Sequence, residues 1–248
     1  MTPLALVRAE IRKLTTTKLA WGFLAVLVVI AGLNAAIVAF GTDMGGSKAF
    51  IATAADQQSL MSFAFNAMLG TALFGAIAAA REYGHATVVP TFLTTPRRHR
   101  AVLAQLTAVA GFGAALALVG QALVVAGVAI ALHSTSYGFL VSITALTQLL
   151  ATTTLAGAVG AVLGAGLGVV IRNVGGAVTA VVLVLFVVPP LTAQLLADAG
   201  TWIPTSLFAV ISGASTDVAL WAALLGIAAW ALIPAGAGLL AVERRDVV

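Results

Sequence analysis

The chain is a succession of long apolar runs separated by short polar ones. Six runs are long enough to cross a bilayer: residues 19–40, 60–80, 101–132, 139–171, 174–193 and 218–242. A helix rises about 1.5 Å per residue, so about 20 apolar residues cross a hydrocarbon core of roughly 30 Å. The pattern predicts an all-α polytopic membrane protein with six transmembrane helices, residues 1–248 forming a single transmembrane domain. The third and fourth runs are longer than a span requires, so each must tilt, break or project beyond the bilayer.

The intervening segments have patterns of their own. Thr2-Pro3 has the form of a helix start, a hydroxyl at the cap and proline at the first helical position. Leu4, Val7, Ile11 and Leu14 then recur at helical spacing, while Arg8, Arg12 and Lys13 share the other face with Glu10. This predicts a short amphipathic helix lying in the membrane interface. The first span follows it as a retained signal anchor, because its apolar run is too long for a cleavable signal.

Between the second and third spans lie Arg81-Glu82-Tyr83-Gly84-His85-Ala86-Thr87, then Pro90, then Thr95-Pro96-Arg97-Arg98-His99-Arg100. Pro90 starts and Pro96 ends a predicted short surface helix whose apolar face is Val88, Val89, Phe92 and Leu93. After the fifth span, Pro189-Pro190 is expected to break or end the helix. Two short apolar stretches around Trp202-Ile203-Pro204 follow, too short to cross. They are read as re-entrant or interfacial helices.

Composition narrows the class. Of 248 residues, 61% are hydrophobic and only 8% charged, with a mean hydropathy of +1.12. So few charges cannot clothe a water-soluble surface, where about a quarter of residues are usually charged. That excludes a soluble enzyme, a nucleic-acid-binding domain and a disordered chain. The net charge of +4 is read as basic loops held against anionic lipid. Eleven of the twelve basic residues fall on one side of the six-span topology, with only Lys48 on the other. The positive-inside tendency then places both termini in the cytoplasm.

Candidate chemistry is sparse. The chain has no cysteine. His85, His99 and His133 fall on opposite sides of the predicted membrane, and no pair of acids lies at mid-membrane depth. Neither an enzyme nor a metal site is expected. Gly41 to Lys48 comes near a phosphate-binding loop but ends Gly-Ser-Lys, and lies on the outer side. Polar residues within the spans include Asn34, Asn66, Gln121 and Gln148, candidates to line a translocation path or to bond between helices. Gly160, Gly164 and Gly168 recur every four residues and predict a close helix–helix contact.

Three local features resemble the membrane subunits of type-2 ABC exporters. Arg8-Ala9-Glu10-Ile11-Arg12-Lys13-Leu14, leading through Lys18 into the first span, is similar to that family's cytoplasmic interface helix. Arg81-Glu82-Tyr83-Gly84-His85-Ala86-Thr87, followed by Leu93-Thr94-Thr95-Pro96-Arg97-Arg98, resembles its inner loop between spans two and three. The segment around Pro189, Pro190 and Pro204 resembles its broken outer helices. Gln105 departs from the pattern, where many members carry lysine.

The resemblance implies a permease subunit in a bacterial cytoplasmic membrane, paired with a second permease subunit, as a homodimer, around a central path. Two copies of a separate cytoplasmic ABC ATPase would bind ATP and magnesium; this chain would hold no cofactor. Arg81, Glu82, His85, Thr87, Pro96, Arg97, Arg98 and Arg100 would couple to the ATPase or meet lipid phosphates. Arg8, Glu10, Arg12 and Lys13 would form the interface helix. The expected partners are the ATPase, the second subunit and membrane lipid, with no nucleic acid. An amphipathic, lipid-like or drug-like cargo suits spans without charge. An ATP-independent secondary carrier and a non-transporting structural or sensory subunit are the other classes compatible with the residues.

Overall fold

A computed structural model describes residues 2–43, 46–84 and 98–244, and these are helical apart from caps, turns and connections. The predicted surface helix and its residues His85, Thr87, Pro96 and Arg97 lie outside the described residues. Helix α1 (Pro3–Thr16) begins at proline as expected, but the Thr2 hydroxyl makes no capping bond. Its carbonyl closes the first turn instead, accepting from Ala5 N at 3.1 Å. Thr17 is extended (φ −93°, ψ 145°) and separates α1 from α2 (Lys18–Phe40).

The second span comes in two pieces. Helix α3 (Ala54–Met61) starts at a reciprocal cap between Thr53 and Asp56. Ser62 and Phe63 then leave helical geometry before α4 (Ala64–Gly84) resumes. Helix α5 (Arg98–Leu132) runs unbroken for 35 residues, about 52 Å at the usual rise per residue.

Helix α6 (Ile143–Ile171) starts later than its apolar run. Ser142 caps it, accepting from Ala145 N at 3.2 Å, and Leu140 N is diverted to the side chain of Gln57 at 2.9 Å. Helix α6 ends at Arg172, a non-glycine residue in the left-handed region (φ 59°).

The proline pair does not end the fifth span. Helix α7 (Val174–Leu195) passes through it. A wide π-turn at Leu183–Val187 comes first, with Val188 N bonded back to Leu183 O. The turn resets the register, so Pro189 and Pro190 fall in the first turn of the renewed helix, where missing N–H groups cost little. A 3₁₀ stretch at Ala197–Trp202, the short α8 (Pro204–Ile211) and α9 (Leu220–Arg244) complete the chain. Among the described residues, six helical segments are long and apolar enough to span a membrane.

Helix α6 is the centre of the bundle, and α4, α5, α7 and α9 pack around it. Its glycines set how near they come. A methyl carbon added to Gly160 or Gly164 would overlap the carbonyls of Met68 or Ala72 on α4; on Gly168 it would lie 2.8 Å from the Ala76 carbonyl. Gly157, one turn earlier, faces Gly113 of α5 instead, and Gly166 faces the backbone at Pro234 of α9. Lipid hydrocarbon is as apolar as a leucine side chain, so helices in a bilayer gain by close backbone packing rather than by escaping solvent. The outward faces of α2 and α7 carry exposed Trp21, Val29, Leu33 and Phe186, as lipid contact requires.

Candidate functional site

One end of the bundle collects the charged groups. It comprises α1, the end of α4, the start of α5 and the ends of α6 and α9. Lys13 lies between two carboxylates: its Nζ is 2.7 Å from Glu10 Oε1 on its own helix and 3.2 Å from Glu82 Oε1 on α4. Glu10 is buried beneath α1, between Leu6 and Leu14, which dock the same helix face on the bundle. Burial alone would lower the Lys13 pKa. The hydrogen bond Lys13 donates to Glu10 and the nearby Glu82 charge outweigh it, and the pKa is raised above its usual 10.5. Two acids around one ammonium fix α1 against the last turn of α4 in one register.

The next residue, Tyr83, makes a second junction. The Arg172 guanidinium sits 5.1 Å from the centre of the Tyr83 ring, and Arg172 Nη2 donates to the Ala241 carbonyl of α9 at 3.3 Å. Arg172 Nε is buried without a hydrogen-bond partner among the described residues. The left-handed cap at the end of α6 aims this side chain sideways across the bundle. Farther out, His99 Nδ1 of α5 approaches Glu243 Oε1 of α9 at 3.8 Å. The last turn of α4 is thus joined to α1 through Glu82, and to α6 and α9 through Tyr83. It is also where the chain leaves for residues 85–97.

Among the predicted coupling residues, Arg81, Glu82, Arg98 and Arg100 lie at this end, and Arg81, Glu82 and Arg98 have interaction partners. Arg8 and Arg12 occupy the exposed face of α1, one turn apart. Arg172, Tyr83 and Glu243 were not among the predicted residues. Tyr83 lay inside the quoted motif, and the signal that was available was its position directly after Glu82.

The four polar candidates for a path are dispersed. Asn34 bonds the Ile30 carbonyl of its own helix at 2.9 Å, and Asn66 is exposed. Gln148 is half-buried beside Gly213. Gln121 is fully buried and structural: Nε2 donates to the Met61 carbonyl at 2.9 Å and Oε1 accepts from Thr153 at 2.8 Å. It thereby satisfies a carbonyl released where α3 and α4 separate. Next to that break is a cavity of about 240 Å³ bearing the hydroxyls of Ser62, Thr152, Thr153, Thr205 and Ser212.

The opposite end holds Lys48, whose Nζ donates to the Val38 and Ala39 carbonyls at 3.1 and 2.5 Å and so caps α2. There Gln57, buried, bonds Ile51 O, Gly138 O and Leu140 N. Trp230 Nε1 bonds the Trp202 carbonyl at 3.0 Å.

The sequence matches no known family model and no curated protein. What the helices define is a class: a multi-pass, all-helical membrane protein.

Proposed function

We propose that this chain is the membrane subunit of a type-2 ABC exporter in a bacterial cytoplasmic membrane, with its charged end and both termini in the cytoplasm. Two copies pair as a homodimer, and each docks on a separate ATPase that binds ATP and magnesium. The cargo is amphipathic, lipid-like or drug-like. Helix α1 is the interface helix, and the short elements around Trp202 and α8 lie at the outer surface.

The observation that carries this reading is the fixation of the last α4 turn by Lys13–Glu82 on one side and Tyr83–Arg172–Ala241 on the other. An ATPase pressing on residues 85–97 would move that turn. The ion pair would carry the movement to α1, and the stacked arginine would carry it to α6 and α9. A basic loop that served only to orient the protein needs no such joints. Arg98 and Arg100 begin α5 directly after residues 85–97, where acidic groups of a partner or lipid phosphates would meet them.

A photo-crosslinking residue placed at exposed Arg100 tests the proposal in the native host. It captures a cytoplasmic protein bearing a phosphate-binding loop, whereas the same probe at His133, at the other end of the bundle, does not. Capture from His133 alone, or from neither, contradicts the reading.

A further inference from the structure

Helices α7 and α9 both rest on α6 and leave a cleft between them. Three local features shape it. The π-turn at Leu183–Val187 widens α7, Pro234 interrupts the regular bonding of α9, and Gly226 lets Trp202 and Leu207 pack close against α9 at the cleft's rim. The cleft encloses about 560 Å³, within the roughly 300–1,000 Å³ typical of small-molecule sites. Leu167 of α6, Val184 of α7, Ile233 of α9, Trp202 and Trp230 line it.

The lining is aliphatic and aromatic, without a charged side chain. The Trp230 indole N–H is already bonded to the Trp202 carbonyl. An occupant therefore needs no polar group along its buried length. A helix is about 10 Å across even when slim, so this volume corresponds to only about 7 Å of helix, less than two turns. A spanning segment of a second copy is too thick to enter. An alkyl chain is slender and apolar throughout, and it is the material in which α7 and α9 are immersed.

We propose that the α7–α9 cleft is a binding site for an alkyl chain of an amphipathic lipid, its headgroup level with Trp202. Tryptophan rings favour the headgroup region of a bilayer. With the orientation proposed above, the bound molecule belongs to the outer leaflet. The site deepens the proposed amphipathic cargo and rests on that reading for its leaflet. Its test uses no ATPase, so the two proposals fail separately.

The chain has four tryptophans, and Trp21 and Trp221 face outward from their helices. A Trp21→Phe/Trp221→Phe variant leaves only the two cleft indoles. A Trp202→Phe/Trp221→Phe/Trp230→Phe variant leaves Trp21 as the reporter of ordinary surrounding lipid. Each full-length chain is reconstituted in phosphatidylcholine vesicles with and without bromine at mid-chain, and tryptophan quenching is measured. Ala229→Phe then fills the cleft from an exposed position on α9. The expected result is strong quenching of the cleft indoles, reduced at least twofold by Ala229→Phe, with Trp21 quenching unchanged. Val184→Phe fills the cleft from the other wall and gives the same reading if Ala229→Phe does not fold. Two results overturn the proposal. Unquenched cleft indoles mean that protein, such as a second copy, covers the cleft. Quenching that neither filling variant reduces means surrounding lipid without a site.

Discussion

Gly164→Ala is the sharpest test of the packing. The added methyl carbon would overlap the carbonyl, carbonyl carbon and Cα of Ala72. All three are backbone atoms, so no rotamer change relieves the clash, and α4 and α6 must move apart. Overpacking of a well-filled core costs about 1–3 kcal/mol, and a backbone-on-backbone clash belongs at the upper end. Against it stands the helix preference for alanine over glycine, about 1 kcal/mol in a water-exposed helix. The net loss is about 2 kcal/mol, or a fall of roughly 4–8 °C in melting midpoint for a chain of this size. Gly70 of α4 has open space where its methyl would go, so Gly70→Ala carries only the helix preference and is neutral or slightly stabilising. Gly168→Ala, whose nearest atom would be 2.8 Å away, should fall between them. The assay is thermal unfolding of detergent-solubilised protein followed by gel filtration. A Gly164→Ala midpoint equal to the parent, or below it by no more than that of Gly70→Ala, would refute close α4–α6 packing.

Lys13→Ala leaves Glu10 and Glu82 facing each other without the ammonium between them. Because Lys13 is partly open to solvent, the cost is about 1 kcal/mol, read as faster proteolysis at Thr17 and partly reversed by adding Glu82→Gln. The raised Lys13 pKa sets the pH dependence: the stabilisation is fully present below about 10.5 and is lost as pH rises through the shifted value, so protease resistance at Thr17 should persist at neutral pH and fall in strong alkali. Gln121→Leu strands the Met61 carbonyl in an apolar interior and should cost about 2 kcal/mol in thermal unfolding, whereas Asn34→Leu, which removes only a bond within its own helix, should be near neutral. Arg172→Gly should be more stable than Arg172→Ala by about 1 kcal/mol, because both lose the Tyr83 contact but only alanine keeps the left-handed strain; equal unfolding midpoints would contradict the assigned cap.

The six spans are legible in the sequence because run length and hydropathy are properties of one segment at a time. The end of α5 at Leu132 and the end of α6 at Ile171 fall where the apolar runs stop. What could not be read depends on partners distant in the chain. The break at Ser62–Phe63 has no proline or glycine to announce it, and the group that satisfies it, Gln121, is 60 residues from Met61. Pro189-Pro190 suggested a broken or ended helix; the regular turn is interrupted just before them, but the span continues, because a π-turn resets the register and puts both prolines in a first turn. The site divided in the same way. Glu10, Lys13 and Glu82 were visible as charges, but the helical spacing set Glu10 on the polar face with Arg8 and Arg12, whereas it is buried between Leu6 and Leu14, and the union across α1 and α4 was not visible. Arg172 read as one more basic residue, and only the left-handed turn at the end of α6 directs it onto Tyr83.

The proposed docking of the charged end on a separate ATPase can be tested in the native host. Purifying the tagged full-length chain from its host in mild detergent, with co-purifying proteins identified and ATP hydrolysis assayed, tests it most directly. The expected result is a stoichiometric cytoplasmic partner with a phosphate-binding loop and ATPase activity, lost from a folded Glu82→Ala/Arg97→Ala/Arg98→Ala variant. A chain that comes off alone, under conditions that keep a known transporter complex intact in parallel, would contradict it.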